Sequence, residues 1–356
     1  MGLACAYSGA GWRRTLLLLA ALSLHSSQRV LRGEVIEPPQ ATGEISESIL
    51  TRIRHEAYAA WQRAEQATSS LKVTCREHEH YSYVDEAGQS RSRARDSIVT
   101  ICWDPSRSRR LIEVNHPGRG VSRRVLNTEY RFLVAQGEGA SLWRLDGGRR
   151  GNGAKVFRDF EGLDAEREWV LQSSFRVAGV PVRELVEGAG FKLTEARSMR
   201  EPGPGNQESV VLRSSYNGPK TQWTLPPAEY WVVLRPDNAW LIDRGGADLM
   251  SGQTRVSTTV TYQPGRGGRP FPNVVTHDKV RAKGDVNLYR TYRFGAPGPC
   301  DMPDTEFRLD HYGIPEAALD SRSGWSPVVL GALGLVALVL IYLVVRRISQ
   351  RRPPHV

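Results

Sequence analysis

Residues 255–262 read RVSTTVTY, and this segment decides the fold class because its side chains alternate in character from one position to the next. One set contains Val256, Thr258, Val260 and Tyr262, and the set between them contains Ser257, Thr259 and Thr261. Successive side chains of an extended chain point to opposite faces of a sheet. The alternation therefore predicts an antiparallel strand with one buried face.

Similar strand-like segments lie on both sides of this one. They occupy residues 71–76, 96–103, 110–115, 129–135, 141–145, 209–215, 230–234, 239–243, 273–282 and 286–294. Turn sequences separate them, as at Asp104-Pro105, residues 235–238 and residues 264–268. Sequential strands joined by short turns predict an antiparallel sheet that curls on itself.

An amphipathic helix is predicted ahead of the first strand, at residues 44–69. Its apolar residues, among them Ile49, Ile53, Ala57 and Trp61, recur at spacings of three and four. Charged residues occupy the other side of the same helix. We expect this helix to bury its apolar stripe against the sheet.

A helical insert is predicted within the succession of strands. Residues 164–177 have helical character with Asp164 as N-cap, and a shorter helix at 181–187 begins with Pro181 in its first turn. The predicted fold class is α+β, a curled antiparallel sheet or unclosed β-barrel. Its helices would cover the concave side or the open end of the sheet.

A membrane-spanning helix is predicted near the C-terminus. Residues 327–345 read PVVLGALGLVALVLIYLVV, contain no charge, and are followed directly by Arg346 and Arg347. At about 1.5 Å per residue the run would reach roughly 28 Å, close to the hydrocarbon thickness of a bilayer. A buried helix of a globular core is the alternative.

The N-terminus resembles an export signal. Arg13 and Arg14 precede the apolar run at residues 16–24, which is too short to span a membrane. A cleavable signal peptide over residues 1–28 is the prediction, and an uncleaved N-terminal anchor is the alternative. Basic residues flanking apolar segments stay on the cytoplasmic side.

These segments predict a single-pass protein of the cell membrane whose bulk lies on the extracytoplasmic, periplasmic side and whose C-terminus is cytoplasmic. The predicted organisation is a signal peptide (1–28), a lead-in (33–43), an exported domain (44–294), a stalk (295–326), the transmembrane helix (327–345) and a cytoplasmic tail (346–356).

The charge of the chain gives no case for nucleic-acid binding. The formal net charge of +10 includes six arginines of the two terminal segments, and about +4 remains without them. A charge that small, dispersed over a domain of this size, is not the footprint of a polyanion-binding protein. We therefore expect no nucleic-acid partner.

Three cysteines lie beyond the predicted signal: Cys75, Cys102 and Cys300. Folding the hairpin that contains the first two symmetrically about Gly88 and Gln89 places Cys75 opposite Cys102. A disulfide between Cys75 and Cys102 is then one interpretation, and two buried free thiols are the other.

Several segments resemble the bacterial outer-membrane lipoprotein-carrier superfamily. They are VSRRVLNTEYRFLVAQG at 121–137 with SLWRLD at 141–146, WVVLRPDNAWLIDR at 231–244, and VSTTVTYQPGRGGRPFPNVVTHDKV at 256–280. The sequence TEFRLDHYGIPEA at 305–317, ahead of an apolar run, is similar to membrane-anchored exported bacterial proteins. The resemblance implies an unclosed β-barrel lidded by helices, with an apolar cavity for acyl chains or a sensing surface.

The sequence shows no recognisable motif of catalysis or cofactor binding. His55-Glu56 does not continue into a zinc-binding HExxH, and no nucleophile elbow, Walker loop or dinucleotide fingerprint follows a strand. In the segment CREHEH, Cys75 and the two histidines His78 and His80 would project from opposite faces of a strand. We predict that the chain is not an enzyme and that it has neither a metal site nor a cofactor.

The aromatic residues supply the candidate ligand-binding site. If the sheet is an open barrel, those on its concave face would offer broad apolar surface to an acyl chain, although core packing is the alternative for each. The candidates are Phe132, Trp143, Tyr230, Trp231, Trp240 and Tyr262. The predicted function is noncovalent binding of a lipid, lipoprotein or other apolar ligand in the cell envelope, or interaction with an envelope protein as a sensing module.

Overall fold

The computed structural model of this chain describes residues 36–67, 70–85, 87–118, 120–128, 130–136, 140–147, 170–200, 207–220, 224, 226–281 and 286–314. Everything said below concerns these ranges.

The predicted N-terminal helix is present. It runs without interruption through α1 (Glu47–Arg52), a π-helical turn (Ile53–Ala57) and α2 (Tyr58–Ala67). The stripe that the spacing predicted is buried, with Ile53 and Ala57 inaccessible to solvent and Trp61 only 6% exposed. Beyond the N-terminal helix, the described residues contain the short helix α3 (Val182–Glu187), which confirms the short helix predicted there.

The remainder is dominated by antiparallel strands. The strands are β1 (Leu71–Val84), β2 (Ser90–Asp104), β3 (Arg109–His116), β4 (Gly120–Leu126), β5 (Tyr130–Gln136), β6 (Ala140–Gly147), β7 (Arg176–Val177), β8 (Val180–Pro181), β9 (Phe191–Arg200), β10 (Glu208–Tyr216), β11 (Ala228–Arg235), β12 (Leu241–Leu249), β13 (Thr254–Pro264), β14 (Pro270–Arg281), β15 (Val286–Phe294) and β16 (Gly298–Pro299).

One large sheet contains all of them except the small β7–β8 hairpin. Its order is β6-β5-β4-β3-β2-β1-β15-β14-β13-β12-β11-β10-β9, with β16 beside β1. Among the described residues β6 and β9 are edge strands that do not pair with each other, so the sheet is unclosed, as the resemblance to the lipoprotein-carrier superfamily implied. A parallel bridge between Ile45 and Ala196 extends the sheet at the β9 edge.

The sheet has an inner and an outer face, and each is covered in part. We call inner the face that carries Leu71, Val73 and Cys75 of β1. The N-terminal helix and α3 pack on this face over β9–β12, and Val170 and Leu171 pack on it over the centre of the sheet. The outer face of β2–β5 is covered by the chain that follows β15.

The helix predicted at residues 164–177 is not formed in its described part. Residues 164–169 lie outside the described ranges, and Val170–Gln172 is a single 3-10 turn followed by the β7–β8 hairpin. Ala178 and Gly179 have φ of 47° and 84°, the left-handed values of a tight hairpin turn. The backbone of this segment bonds to the sheet instead of to itself, as Ile242 donates its amide to the carbonyl of Ser174.

The predicted disulfide between Cys75 and Cys102 is wrong. The β1–β2 hairpin pairs Cys75 with Val99 and Lys72 with Cys102, a slip of three residues from the symmetric fold. Because three is odd, the slip places the two thiols on opposite faces of the sheet. Cys75 is buried on the inner face and is not part of a disulfide, and Cys102 forms a disulfide with Cys300 on the outer face.

The stalk predicted at 295–326 is also wrong in its described part. Phe307, Leu309 and Tyr312 are at most 5% exposed and pack against Leu111, Val125 and Phe132 on the outer face. The amide of Leu309 bonds to the hydroxyl of Tyr130, and the side-chain amide of Asn127 donates to the carbonyl of Phe307. Residues 300–314 therefore belong to the folded domain.

The predicted membrane-spanning helix is not supported. No helix of the described ranges is long and apolar enough to cross a membrane, and the longest, at the N-terminus, is amphipathic. The predicted span at 327–345, the signal peptide at 1–28 and the tail at 346–356 lie outside those ranges. The fold class is corrected to an unclosed antiparallel sheet with one N-terminal helix and short helical turns. The single-pass location with a cytoplasmic C-terminus is likewise not supported.

Candidate functional site

Two adjoining grooves open between the helices and the β7–β8 hairpin. The first, here the lid groove, has a volume of about 510 Å³ and separates the N-terminal helix from the hairpin. It is lined by Tyr58, Ala59, Trp61, Gln62, Glu65, Phe175, Arg176, Pro181 and Arg183. The second, here the side groove, has a volume of about 280 Å³ and is lined by Arg176, Gly179, Val180, Pro181, Glu184, Ala189, Phe191, Tyr216 and Thr224. Arg176 and Pro181 belong to both grooves.

The lid groove is formed because the helix and the hairpin are fixed independently to the sheet. On the helix side, the indole of Trp61 donates a hydrogen bond of 2.7 Å to the carbonyl of Trp240. On the hairpin side, Val177 packs against Gly245 of β12, where a Cβ atom would come within 2.9 Å of the valine methyl. Glycine at 245 thus permits the close approach of the hairpin to the sheet.

The walls of the lid groove are mainly aromatic and aliphatic, and the side groove combines aromatic rings with polar groups. Phe175 is only 5% exposed, and Phe191 packs against Tyr216 with ring centroids 4.6 Å apart. The guanidinium of Arg183 lies over the ring of Tyr58 at 4.8 Å. Burial, with a smaller effect of the Glu187 carboxylate, raises the pKa of Tyr58, so that its hydroxyl stays neutral.

Arg176 is the charged group at the junction of the grooves. Its Nε atom is buried and has no hydrogen-bond partner among the described residues. Burial lowers the pKa of Arg176, and the carboxylates of Glu65 and Glu184 act in the opposite direction. A guanidinium remains charged under such conditions, and its unused donor is available to an acceptor that enters the groove.

A second polar cluster lies on the inner face of the central strands. Arg290 is 3% exposed, bonds to Glu79 at 2.7 Å and lies 3.8 Å from Glu77, while Arg95 bonds to Glu79 at 2.9 Å. Each charge therefore has an opposite charge nearby, as buried ionic groups require. This cluster gives the middle of the inner face a polar character.

His277 borders this ionic cluster. Its Nδ1 lies 2.8 Å from the hydroxyl of Thr258, and its ring faces that of Tyr292 at 6.0 Å. Burial, with a further contribution from the charge of Arg290, lowers the pKa of His277 to about 4. The imidazole is consequently neutral in the folded protein at neutral pH.

The six aromatic residues predicted to form a cavity do not come together. Tyr230, Trp240 and Tyr262 lie on the inner side, whereas Phe132 and Trp231 pack on the outer face. Trp143 belongs to β6, and its side chain lies outside the described part. None of the six lines the lid groove or the side groove. Their role in ligand binding stays a prediction.

Sequence reasoning missed the residues that line the grooves. Arg176 and Pro181 were assigned to a helix and its first turn, although the Ala178-Gly179 pair between β-branched residues is a hairpin signal. Of the residues weighed as metal ligands, Cys75 is on the inner face and His78 bonds to Asp96 at 2.8 Å on the outer face.

Comparison with known proteins finds similarity at the level of solved structures. No family model and no curated protein sequence matches this chain. Solved structures include a LolA superfamily protein from Nitrosomonas europaea, with 11% identity, coverage of 72% of this chain and 99% of that one, and a TM-score of 0.38. A putative outer membrane lipoprotein-sorting protein domain from Vibrio parahaemolyticus has 7% identity, coverage of 73% and 98%, and a TM-score of 0.37.

A DUF1329 family protein from Desulfovibrio piger has 12% identity, coverage of 72% and 97%, and a TM-score of 0.35. Two of these solved structures are thus described as a LolA superfamily protein and as a lipoprotein-sorting domain, the group of proteins that the sequence segments resemble.

Proposed function

We propose that this chain binds a lipid or another single-chain apolar ligand without catalysis, and that the lid groove and the side groove hold it. The observation that supports the proposal most is the meeting of a mainly apolar groove, the lid groove, with a more polar one, the side groove, at the buried Nε of Arg176. An elongated ligand with a polar end needs both features in one place.

The apolar part of the ligand would lie between the helix and the hairpin. Tyr58, Trp61, Phe175 and Pro181 offer rings and aliphatic surface on both sides of the lid groove. Burial of an alkyl chain against such walls contributes about 0.8 kcal/mol per methylene group. Because the helix and the hairpin are each fixed to the sheet, the groove is largely preformed, which reduces the entropic cost of binding.

The polar end of the ligand would face Arg176. A ligand that brings an acceptor oxygen would satisfy this buried donor, which has no hydrogen-bond partner among the described residues. Glu65 and Glu184 are close enough to act on the pKa of this arginine, so the site is not strongly basic. A carboxyl or ester head therefore fits the junction better than a doubly charged phosphate.

The proposal is tested by filling the groove. Ala59 is an exposed residue of α2 that lines the lid groove, so Ala59→Trp places a large ring in it without disturbing the core. We expect this variant to bind a fluorescent fatty acid at least about tenfold more weakly than the parent chain, since the ring occupies volume needed by the alkyl chain.

The matched control is Ala67→Trp, at the end of the same helix and outside both groove linings. The apolar terminal segments of the sequence are identical in the two variants. A difference in their fatty-acid affinity therefore reports on binding in the lid groove. Equal affinities in the two variants, together with no lipid in an organic extract of the protein as isolated, would contradict the proposal.

A further inference from the structure

The β1–β2 hairpin carries an unusual set of residues at its tip. Its outer part reads HYSYV on β1 and SRSRARD on β2, around the turn at residues 85–89. The pairing of β2 with β3 begins only at Ile98, so the tip projects beyond β3. The ligand grooves do not use these residues.

Strand register places the basic and aromatic residues of this region on the inner face. Tyr81 is opposite Arg93, and Tyr83 is opposite Arg91. On the other side of β1, Tyr81 is opposite Leu288 of β15, which in turn is opposite Lys279 of β14. Arg281 follows two residues later on the same face. The mouth patch consists of Tyr81, Tyr83, Arg91, Arg93, Lys279 and Arg281.

The patch is accessible and ordered at its centre. Tyr83 is 38% exposed, the side chain of Arg91 is 57% exposed, and Arg93 and Arg281 are exposed. The rings of Tyr81 and Tyr83 stack at 5.4 Å. Asp85 accepts backbone bonds within the turn and pairs with Arg91 at 2.9 Å, which stabilises the tip.

Basic side chains outnumber acidic ones in the described part of the mouth patch, where Asp85 pairs with Arg91 and the other nearby carboxylates are directed elsewhere. Register places Asp96, Asp248 and Asp278 on the outer face. On the inner face, Glu79 is 12% exposed and is already paired with Arg95 and Arg290. Within the part of the chain that the structure describes, Arg93, Lys279 and Arg281 form a basic rim around the two tyrosines with no acidic side chain of the inner face directed at it.

We propose that the mouth patch docks this protein onto the surface of an anionic lipid bilayer. Guanidinium groups pair with lipid phosphates through two parallel hydrogen bonds, and tyrosine rings are favoured at the level of the headgroups, where one end is apolar and the other wet. The projecting hairpin tip presents both kinds of side chain to the plane of the bilayer surface. Docking is independent of the fatty-acid binding proposed above.

The test measures flotation of the full chain with phosphatidylcholine vesicles that contain either no phosphatidylglycerol or about 30 mol% of it. The sequence includes the apolar run at 327–345, so binding to neutral vesicles sets the baseline. The measured quantity, here the gain, is the increase in vesicle-bound protein when anionic lipid is added. We expect R93E/R281E to reduce this gain at least about tenfold, since each basic residue near an anionic surface contributes about a fivefold effect.

The matched control is R266E/R269E, with the same charge change on exposed residues in the turn at the opposite end of β14. A second variant, Tyr83→Ser, should lower the gain without changing net charge. Thermal melts of all variants establish that they are folded. The gain of the parent chain should also fall as salt is raised from about 50 to about 300 mM.

Three outcomes would overturn the proposal: a gain equally lost in both double variants, no gain on adding anionic lipid, or binding to soluble heparin with no binding to anionic vesicles. If R93E/R281E loses the gain but keeps the fatty-acid affinity of the parent chain, docking and the proposed function are tested separately.

Discussion

The indole nitrogen of Trp61 donates a hydrogen bond of 2.7 Å to the backbone carbonyl of Trp240, 179 residues along the chain. Trp240 in turn donates its indole N–H to Glu56 at 3.0 Å, and the guanidinium of Arg52 lies over its ring at 5.2 Å. This contact joins the N-terminal helix to the turn between β11 and β12. It thereby holds one wall of the lid groove.

Removing this hydrogen bond should destabilise the protein. Trp61→Phe keeps an aromatic ring but leaves the buried carbonyl of Trp240 without its donor, at a cost of about 1–3 kcal/mol in the free energy of unfolding. Denaturant titration measures the loss. Trp103→Phe is the control, because Trp103 is half-buried and its ring packs against Arg110. Equal losses in the two variants would refute the role of the bond.

The Cys102–Cys300 disulfide should contribute strongly to stability. It joins residues 198 apart and fastens residues 300–314 to the outer face. We expect Cys102→Ser with Cys300→Ser, or reduction of the parent chain, to lower the free energy of unfolding by on the order of 2–5 kcal/mol. Unfolding with and without reductant gives the difference. Cys75→Ala should leave the response to reductant intact, and a non-reduced digest linking Cys75 to another cysteine would contradict the pairing.

Stability should depend on pH through His277. Its pKa is about 4 in the folded state, against 6.5 as the ordinary value, so between these pH values the unfolded chain binds more protons. The stabilisation is complete above pH 6.5 and is lost as the pH falls toward 4. The loss is on the order of 2–3 kcal/mol.

The contribution of His277 is isolated by comparing the parent with His277→Gln across that range. Burial raises the pKa of Asp278, which gives a pH dependence of the opposite sign, but this effect is common to both proteins and cancels. Parallel stability curves for the two proteins would contradict the assignment.

Glu195 should be essential for the lead-in that precedes the N-terminal helix. Its side chain is 1% exposed and pairs with Arg197 at 2.6 Å and Arg213 at 2.9 Å. These arginines also donate to the carbonyls of Gln40 and Pro39. Glu195→Gln removes the charge that both arginines need and should cost about 3 kcal/mol.

The same variant should increase cleavage by a glutamate-specific protease at Glu44, next to the lead-in, since the arginines that hold it lose their common partner. Glu229→Gln, at an exposed position on β11, should change the free energy of unfolding by less than about 0.5 kcal/mol. Unchanged stability and cleavage in Glu195→Gln would show that the lead-in is held by its backbone contacts alone.

Local pattern was enough to predict the strands and the N-terminal helix. The alternation at residues 255–262 lies within β13, and the stripe of Ile53, Ala57 and Trp61 is buried as its spacing requires. The helix predicted at 164–177 was wrong where it is described, because the carbonyl of Ser174 accepts the amide of Ile242 in the sheet and residues 176–177 pair with a hairpin partner. Helical spacing alone does not reveal such distant partners.

The sequence by itself determined the class of sheet, the helix that covers it and the face on which each strand residue lies relative to its neighbours, because these follow from periods of two and 3.6 residues along the chain. Only the tertiary structure decided the register between strands, the partner of Cys102 and the junction of the two grooves at Arg176. A register shift of an odd number of residues exchanges the faces, and a groove forms between segments that lie far apart in sequence. Neither leaves a local trace that one sequence could show.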